Sequence, residues 1–229
     1  MLKYFLCYAL LFSTLLANAQ QAHVVRIQGS YDPSAVAELY NSTPIAITLF
    51  FSDSTSQATS GYGKGNYRWN KLNVSSSNGN IRNGILYFDR AQLIRDQYQV
   101  VLTVTSGNSN PLQTTITLPY ITGIRFNHYA DSIKRDIRFY LNVEGKFNSG
   151  KVFPLDTTTV RFATSDGTII GQDLLLPKND TIKTVTVEAW YKYNDRMYLR
   201  SVIPVKQAPD NDSLIIKTSP EGNKRKRKQ

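Results

Sequence analysis

A single cysteine, Cys7, leaves no internal disulfide framework and no cysteine-based zinc site. Histidine is nearly as scarce, with only His23 and His128. Hydrolytic triads use histidine as the proton carrier. Neither histidine sits beside a Ser/Asp array of recognisable spacing, and no Gly-x-Ser-x-Gly elbow is present. Both are expected at the surface or at strand ends. Glutamate is rare too: Glu38, Glu144, Glu188 and Glu221 are the only four among 17 acidic residues. A glycosidase needs two opposed carboxyls, but Glu144 and Glu188 each alternate with apolar neighbours and read as solvated strand faces. Few glutamates, many Thr, Val, Ile and Tyr, and long Ser/Asn/Gly stretches point to strands and not helices. No catalytic set, no metal site and no cofactor is expected.

Two further motifs fall to the same kind of test. Gly61-Tyr62-Gly63-Lys64-Gly65 is rich in glycine, yet a phosphate loop must open a helix whose amides hold the anion. Here Tyr67-Arg68-Trp69 follows, which is strand-like, so a plain loop is expected. Asp210-Asn211-Asp212 offers hard oxygens for calcium but lacks the rest of a ligand loop.

The one long apolar run lies at the start. Residues 1–19 read MLKYFLCYALLFSTLLANA, with Lys3 as the only charge, an apolar core over 4–16, and Ala17-Asn18-Ala19 as a small-x-small site. This is the order of a secretory signal peptide. The core falls short of the ~20 residues that span a bilayer, which disfavours an uncleaved anchor. A periplasmic, secreted or cell-surface destination follows, with no transmembrane segment in the mature chain.

The formal charge is +10, and it is unevenly spread. Lys224, Arg225, Lys226, Arg227 and Lys228 stand together near the end, after the linker-like Ser219-Pro220-Glu221-Gly222-Asn223. Without Lys3 and these five, +4 remains. A fold built for nucleic acid carries its basic face on the fold itself, so nucleic acid is not the expected partner. The tail is expected to lie outside the fold and to contact an anionic surface, if it contacts anything.

Between signal and tail the chain reads as short strands: 23–28, 45–51, 66–76, 81–88, 97–105 and 112–118, then 137–143, 159–164, 168–171, 173–176, 184–193 and 197–205. Asp32-Pro33 opens an expected helical turn through Tyr40. Over 137–143, Ile137, Phe139, Leu141 and Val143 face one way, the alternation of a half-buried strand. Asn194-Asp195 has the spacing of a two-residue hairpin turn. No amphipathic helix separates the strands, so the expected class is all-β with antiparallel pairing. The expected divisions are a signal peptide over 1–19, a β-sandwich over 20–119, a second over 120–207, and a disordered basic tail over 208–229. Residues 119–123 are the expected junction.

Residues 90–100, Arg-Ala-Gln-Leu-Ile-Arg-Asp-Gln-Tyr-Gln-Val, resemble the corner before the sixth strand of immunoglobulin-like domains. On that resemblance Tyr98 is the corner tyrosine and Val100 takes the inward position often held by cysteine. It implies two tandem immunoglobulin-like β-sandwiches, as in exported bacterial envelope proteins built of such domains. A second resemblance is local. Asp, then Ser or Thr, then an apolar residue or Thr is similar to the O-glycosylation acceptor of one Gram-negative bacterial group. It occurs with acceptors Ser54, Ser132, Thr157, Thr181 and Ser213. Ordinary turn chemistry of Asp-Ser and Asp-Thr explains the same pattern.

The function expected from these features is non-catalytic: an exported binding or assembly protein of the bacterial cell envelope, an accessory subunit of a secretion or surface-assembly apparatus, with envelope proteins or glycans as partners. The alternative is a carbohydrate-binding surface module, with Tyr67, Trp69, Trp190 and Tyr191 as stacking candidates beside Tyr62 and Tyr193. A hydrolase ranks third. Exposed aromatic platforms favour sugars, an open sheet edge favours protein assembly, and a carboxylate-lined cleft favours an enzyme. The export reading predicts a mature protein that begins at Gln20. N-terminal sequencing of the protein made in a bacterial host checks this, and a sequence starting at Met1 refutes it.

Overall fold

The structure, a computed structural model, describes residues 22–105, 110–178 and 181–208. The residues expected to form the signal and the tail, including Ser213 and Lys224, Arg225, Lys226, Arg227 and Lys228, lie outside the described residues. The chain is all-β and its strand pairs are antiparallel. The described residues divide into two compact units: one within Met1–Thr122 joined by Phe147–Lys151, the other within Gly123–Lys146 and Val152–Gln229. Among the described residues no helix is long and apolar enough to cross a membrane.

In the first unit, β1 (Val24–Tyr31) pairs with β2 (Ser42–Phe51). β3 (Ser56–Ala58) adds to β2 on one side. Two 3-10 turns follow (Gly61–Gly63 and Trp69–Lys71), then β4 (Asn73–Ser76), β5 (Asn80–Arg82) and β6 (Ile85–Tyr87). After α1 (Arg90–Arg95) come β7 (Gln99–Thr105) and β8 (Leu112–Thr117). The sheets β1-β2-β6-β5 and β4-β7-β8 share one core. Ile27, Ile45, Ile47, Leu49 and Leu86 enter it from the first, and Val100, Leu102, Val104 and Ile116 from the second. Each such side chain contributes about 1.5–3 kcal/mol by leaving water. A β-carbon at Gly29 would stand 3.0 Å from Ile116 Cγ2 and from Thr114 Cγ2, so glycine lets β1 lie close to β8.

Several expectations change here. The run over 81–88 is a hairpin, not one strand, because Asn83 and Gly84 take φ of +50° and +80°. Asn-Gly supplies these left-handed conformations cheaply in a two-residue turn. The run over 66–76 is strand only from Asn73, since the 3-10 turn at Trp69–Lys71 interrupts it. α1 forms where only a corner is expected: Asp89 caps it by accepting from Gln92 N at 2.7 Å. Gln97 and Tyr98 then both take positive φ, which turns the chain into β7 and puts Val100 fully inside.

The segment over 32–41 forms two turns and not a helix. Asp32 accepts from Ser34 N at 2.8 Å and from Ser34 Oγ at 2.6 Å, and these bonds hold its carboxyl below the ordinary carboxylate range. Cations then serve the free carbonyls. Arg90 Nη2 donates to Ala37 O at 3.0 Å and to Tyr40 O at 2.8 Å. Lys151 Nζ donates to Pro33 O at 2.7 Å and reaches Glu38 Oε2 at 3.3 Å. The Glu38 side chain is 0% exposed, and Ser149 Oγ donates to its other oxygen at 2.5 Å.

β9 (Ile121–Phe126), β11 (Val143–Phe147) and β12 (Val152–Leu155), most of whose residues fall in the second unit, form one sheet in the order β12-β11-β9. β9 begins inside the expected junction at 119–123, and the division between the two units falls there too, between Thr122 and Gly123. β12 is not expected from sequence because Pro154 interrupts it; as an edge strand it tolerates proline. β10 (Phe139–Tyr140), β15 (Asp173–Leu175) and β14 (Thr168–Ile170) form a second sheet. β13 (Val160–Thr164), β16 (Thr184–Tyr191) and β17 (Tyr198–Pro204) form a third. Phe139, Leu141, Leu174, Val185, Val187 and Ile203 belong to the core of the second unit. The alternation over 137–143 fails at its start. Asp136 takes φ +57°, and Ile137 is 53% exposed while Phe139 and Leu141 are buried. The connection from β16 to β17 is also longer than two residues, with Tyr191 N bonded to Met197 O.

The ion pair in the first unit, with Glu38 enclosed and the Lys151 side chain 29% exposed, yields a stability prediction. Breaking a fully buried pair by removing one partner costs about 3–5 kcal/mol. Lys151→Met should lower unfolding stability by less than that range, because solvent reaches one side of this pair while the Glu38 side chain stays enclosed. The double variant Glu38→Gln/Lys151→Met should recover most of the loss in urea titrations. An additive double variant would contradict this account.

Candidate interaction surface

β16 sits between β13 and β17, and its alternation sorts side chains to two faces. Val185, Val187, Ala189 and Tyr191 are buried, while Thr186, Glu188 and Trp190 point the other way. The register places Arg161, Trp190 and Tyr198 in one cross-strand row and Ala163, Glu188 and Arg200 in the next. The Arg161 guanidinium stands over the Trp190 ring, 4.6 Å from its centroid, and the Tyr198 ring lies 5.3 Å away at 39°. The Tyr198 hydroxyl donates to Glu188 Oε1, and this bond raises the phenol above its ordinary value. Thr164, Ser165, Thr186, Glu188, Tyr198 and Arg200 line a groove of about 480 Å³ on this sheet. Glu188 is the one carboxylate lining it, so the groove lacks the second carboxyl that acid/base cleavage of a glycoside uses.

β17 ends the sheet order, so among the described residues no strand pairs with its outer edge over 198–202. Val202 is 57% exposed there. Past this stretch the edge is covered, because Ile133 N donates to Pro204 O and Lys206 N donates to Ile133 O, both at 2.8 Å.

The aromatic candidates separate. Trp190 lies on the outer face. Tyr191 is a correction: it is 5% exposed, in phase with the buried residues of β16, and packs edge-on against Tyr193 at 5.5 Å. Tyr67 and Trp69 are a second correction, since both pack against the core of the first unit. Trp69 Nε1 donates to Ser60 O at 3.0 Å, and a β-carbon on Gly84 would stand 2.5 Å from that nitrogen. Gly65 is structural as well: its β-carbon would fall 1.9 Å from Ala58 O. Sequence reasoning missed Tyr129 and Tyr140, whose exposed rings stack at 6.0 Å and 24°. Around them Tyr140 OH donates to Gln172 Oε1 at 3.3 Å, and Arg138 pairs with Asp173 at 3.2 Å. The strand parity of Tyr140 was the available signal; nothing in the sequence brings Tyr129 to it.

Among the described residues, the Asp-Ser/Thr motifs at Ser54, Ser132 and Thr157 lie in turns or bends. Ser54 and Thr157 are exposed, and in each the preceding aspartate accepts from the residue after the acceptor: Asp53 Oδ1 from Thr55 N at 3.0 Å, and Asp156 Oδ1 from Thr158 N at 3.0 Å. Thr181 is exposed and Ser132 is half-buried. Glu144 is held by Arg125 at 2.7 Å and by Asn127 Nδ2 at 2.7 Å, and the Asn127 bond first, then Arg125, keeps its carboxyl below the usual range. Among the described residues no group of three or more His, Cys, Asp or Glu is placed to hold a metal ion.

His23 is exposed, and His128 stands half-buried just past the end of β9, both within the expectation of surface or strand-end positions. The His128 ring stacks on Phe126 at 4.7 Å and lies 5.6 Å from Phe139. Nε2 is 3.3 Å from Ser201 Oγ, and Nδ1 is buried with no hydrogen-bond partner among the described residues. Burial pushes its pKa down.

No family model matches the chain, and no curated protein matches it. Among solved structures it aligns with the N-terminal part of the bacterial S-layer protein SbsC, at 11% identity and a TM-score of 0.31, over 82% of this chain and 45% of that one. The chain thus spans less than half of that structure, and a score at this level does not define a shared fold.

His128 gives the site a pH dependence whose sign can be worked out. Its folded pKa is lowered, so below about pH 6.5 the unfolded chain binds a proton that the folded chain refuses. This contribution to stability is full above that pH and declines as the pH falls through it. Melting temperatures between pH 7 and pH 5 should fall less steeply for His128→Gln than for the wild type. Parallel curves would remove His128 from the account.

Proposed function

We propose that this chain is an exported, non-catalytic binding or assembly protein of the bacterial cell envelope, built of immunoglobulin-like β-sandwich units and serving as an accessory subunit of a larger surface or secretion apparatus. The observation that carries the reading is the outer edge of β17. An unpaired edge with an exposed valine beside a polar, aromatic face is a template for strand addition by a partner, where backbone bonds give affinity and alternate side chains give selectivity. Soluble proteins commonly blunt such edges with charged side chains, proline or a covering loop; over 198–202, Tyr-Leu-Arg-Ser-Val has one charge, Arg200, and no proline. The groove alongside, with one carboxylate and several hydroxyls, suits recognition more than bond cleavage.

A second reading, a carbohydrate-binding surface module, draws on Tyr129 and Tyr140. Exposed rings offer apolar faces to a sugar, and Gln172, Arg138 and Asp173 supply planar polar groups for its hydroxyls. The two readings separate experimentally. Affinity purification of the full chain from envelope extracts should recover a stoichiometric protein partner, and Val202→Lys should lose it while keeping the wild-type melting temperature. Retention by an envelope polysaccharide that is lost in Tyr129→Ala/Tyr140→Ala and unaffected by Val202→Lys would favour the second reading. Recovery of the protein in the cytoplasm would defeat both.

A further inference from the structure

The outer face of the sheet β13-β16-β17 carries three cross-strand rows. Arg161, Trp190 and Tyr198 make the first, Ala163, Glu188 and Arg200 the second, and Thr186 stands opposite Val202 in the third. Successive outward residues on a strand lie about 7 Å apart, so the rows together span about 14 Å. The groove of about 480 Å³ on this face takes in Tyr198, Glu188, Arg200 and Thr186, with Thr164 and Ser165 at its side. Some of its polar groups are already bonded. Thr164 Oγ1 donates to Asp166 O at 2.6 Å. Ser165 Oγ donates to Asp166 Oδ2 at 2.7 Å and accepts from Thr186 N at 3.0 Å. The Tyr198 hydroxyl donates to Glu188 Oε1 and so draws that carboxylate toward the aromatic row. Other groups are left over. Glu188 and Arg200 stand directly opposite each other, where cross-strand neighbours readily pair, yet they form no ion pair. Among the described residues Glu188 Oε2, the Arg200 guanidinium and the Thr186 hydroxyl have no hydrogen-bond partner. An acceptor, a fork of donors and a hydroxyl that does both are therefore unspent at adjoining positions of two strands.

We propose that this groove binds a neutral oligosaccharide, with Glu188 and Arg200 holding neighbouring hydroxyls of one sugar ring and the Tyr198 ring meeting an apolar sugar face. The proposal goes beyond strand addition at the β17 edge and does not need it, and its sheet is not the one that carries Tyr140. Three features favour a neutral sugar. A sugar hydroxyl both donates and accepts, so two neighbouring hydroxyls serve a carboxylate and a guanidinium at once, and hydrogen bonds to charged groups are the stronger ones. The charges of Glu188 and Arg200 offset each other, and Arg161 is already engaged by the Trp190 ring. An anionic ligand would therefore meet Glu188, and a cationic one Arg200. Finally, Tyr198 is 42% exposed while its hydroxyl is tied to Glu188, so the ring offers an apolar surface whose orientation is set before a ligand arrives. Side chains fixed in advance lose little freedom on binding.

The test titrates purified mature full-chain protein with cellohexaose, maltohexaose and chitohexaose by calorimetry. At least one should bind saturably, and added salt should leave the affinity unchanged because the ligand carries no charge. Arg200→Gln should weaken that binding on the order of ten-fold or more, the scale of a lost hydrogen bond to a charged group. Its melting temperature should match the wild type, since the Arg200 guanidinium makes no bond within the described fold. Glu188→Gln is the second variant and should weaken binding in the same way. Tyr129→Ala/Tyr140→Ala should bind as the wild type does. No binding of any of the three sugars overturns the proposal, as does wild-type affinity in both groove variants. Loss of binding in Tyr129→Ala/Tyr140→Ala, with both groove variants intact, overturns it in favour of the other aromatic pair. Binding of glycine or of dextran sulfate with no neutral sugar bound also overturns it, in favour of a zwitterion or an anion. Under any of these outcomes the proposed function still stands if Val202→Lys loses a protein partner that the wild type retains.

Discussion

The register of β16 between β13 and β17 decides what the second unit can present. Side chains alternate across a strand with a period of two, so a slip by one residue would move every one of them to the opposite face. Here the alternation puts Val185, Val187, Ala189 and Tyr191 into the core and leaves Thr186, Glu188 and Trp190 outside. The four inward side chains fix the choice, because exposing them and burying Glu188 would cost far more than any row of surface contacts returns. The outer rows, Arg161 with Trp190 and Tyr198, and Glu188 with Arg200, are consequences of that burial. β17 is the last strand in this order, and among the described residues no strand pairs with its outer edge over 198–202.

A different constraint shapes the first unit. The segment over 32–41 carries carbonyls that a helix would have satisfied internally, and it is not a helix. Lys151 replaces the internal donor at Pro33 O, and Arg90 serves Ala37 O and Tyr40 O, which the last turn of a helix ending here would also leave without an internal donor. Buried polar groups need partners, and charged donors make the stronger bonds. Lys151 brings a complication, since Glu38 is fully enclosed beside it. Such a pair gains little over an apolar pair of the same shape, yet neither partner can be lost alone. Its role is therefore to fix one arrangement of the segment against Ser149 and Lys151, and its contribution to net stability is secondary.

Much of the fold was legible in the sequence. The all-β class followed from composition, and the strands over 45–51, 97–105, 112–118 and 184–193 follow from local patterns that tertiary packing respects. What was not legible depends on contacts distant in sequence or on single backbone conformations. Asn83-Gly84 was the strongest local turn signal in its region, yet it is hidden inside an apolar run. α1 is six residues long and rests on one cap, Asp89, too short for any periodicity to show. Tyr191 was readable: it continues the parity of Val185, Val187 and Ala189, and its ring chemistry drew attention away from its position. Tyr67 and Trp69 were not readable in this way, because the 3-10 turn at Trp69–Lys71 removes the strand parity that would have sorted them.

The charge distribution is where sequence and structure part most. A formal charge of +4 outside the signal and tail reads as a mildly basic fold with no basic face. Net charge is a sum, and a sum is blind to position. Lys134, Arg135, Lys178 and Lys206 are spread over more than seventy positions and line one groove, beside which Arg135 bonds to the carbonyls of Ile182 and Lys206. The same place holds the clearest failure of the alternation rule: Ile137 begins an apolar-polar repeat that should bury it, and the backbone at Asp136 turns it to solvent instead. Consistency between local pattern and global fold is the norm in natural sequences, and departures from it concentrate where function or strain intervenes.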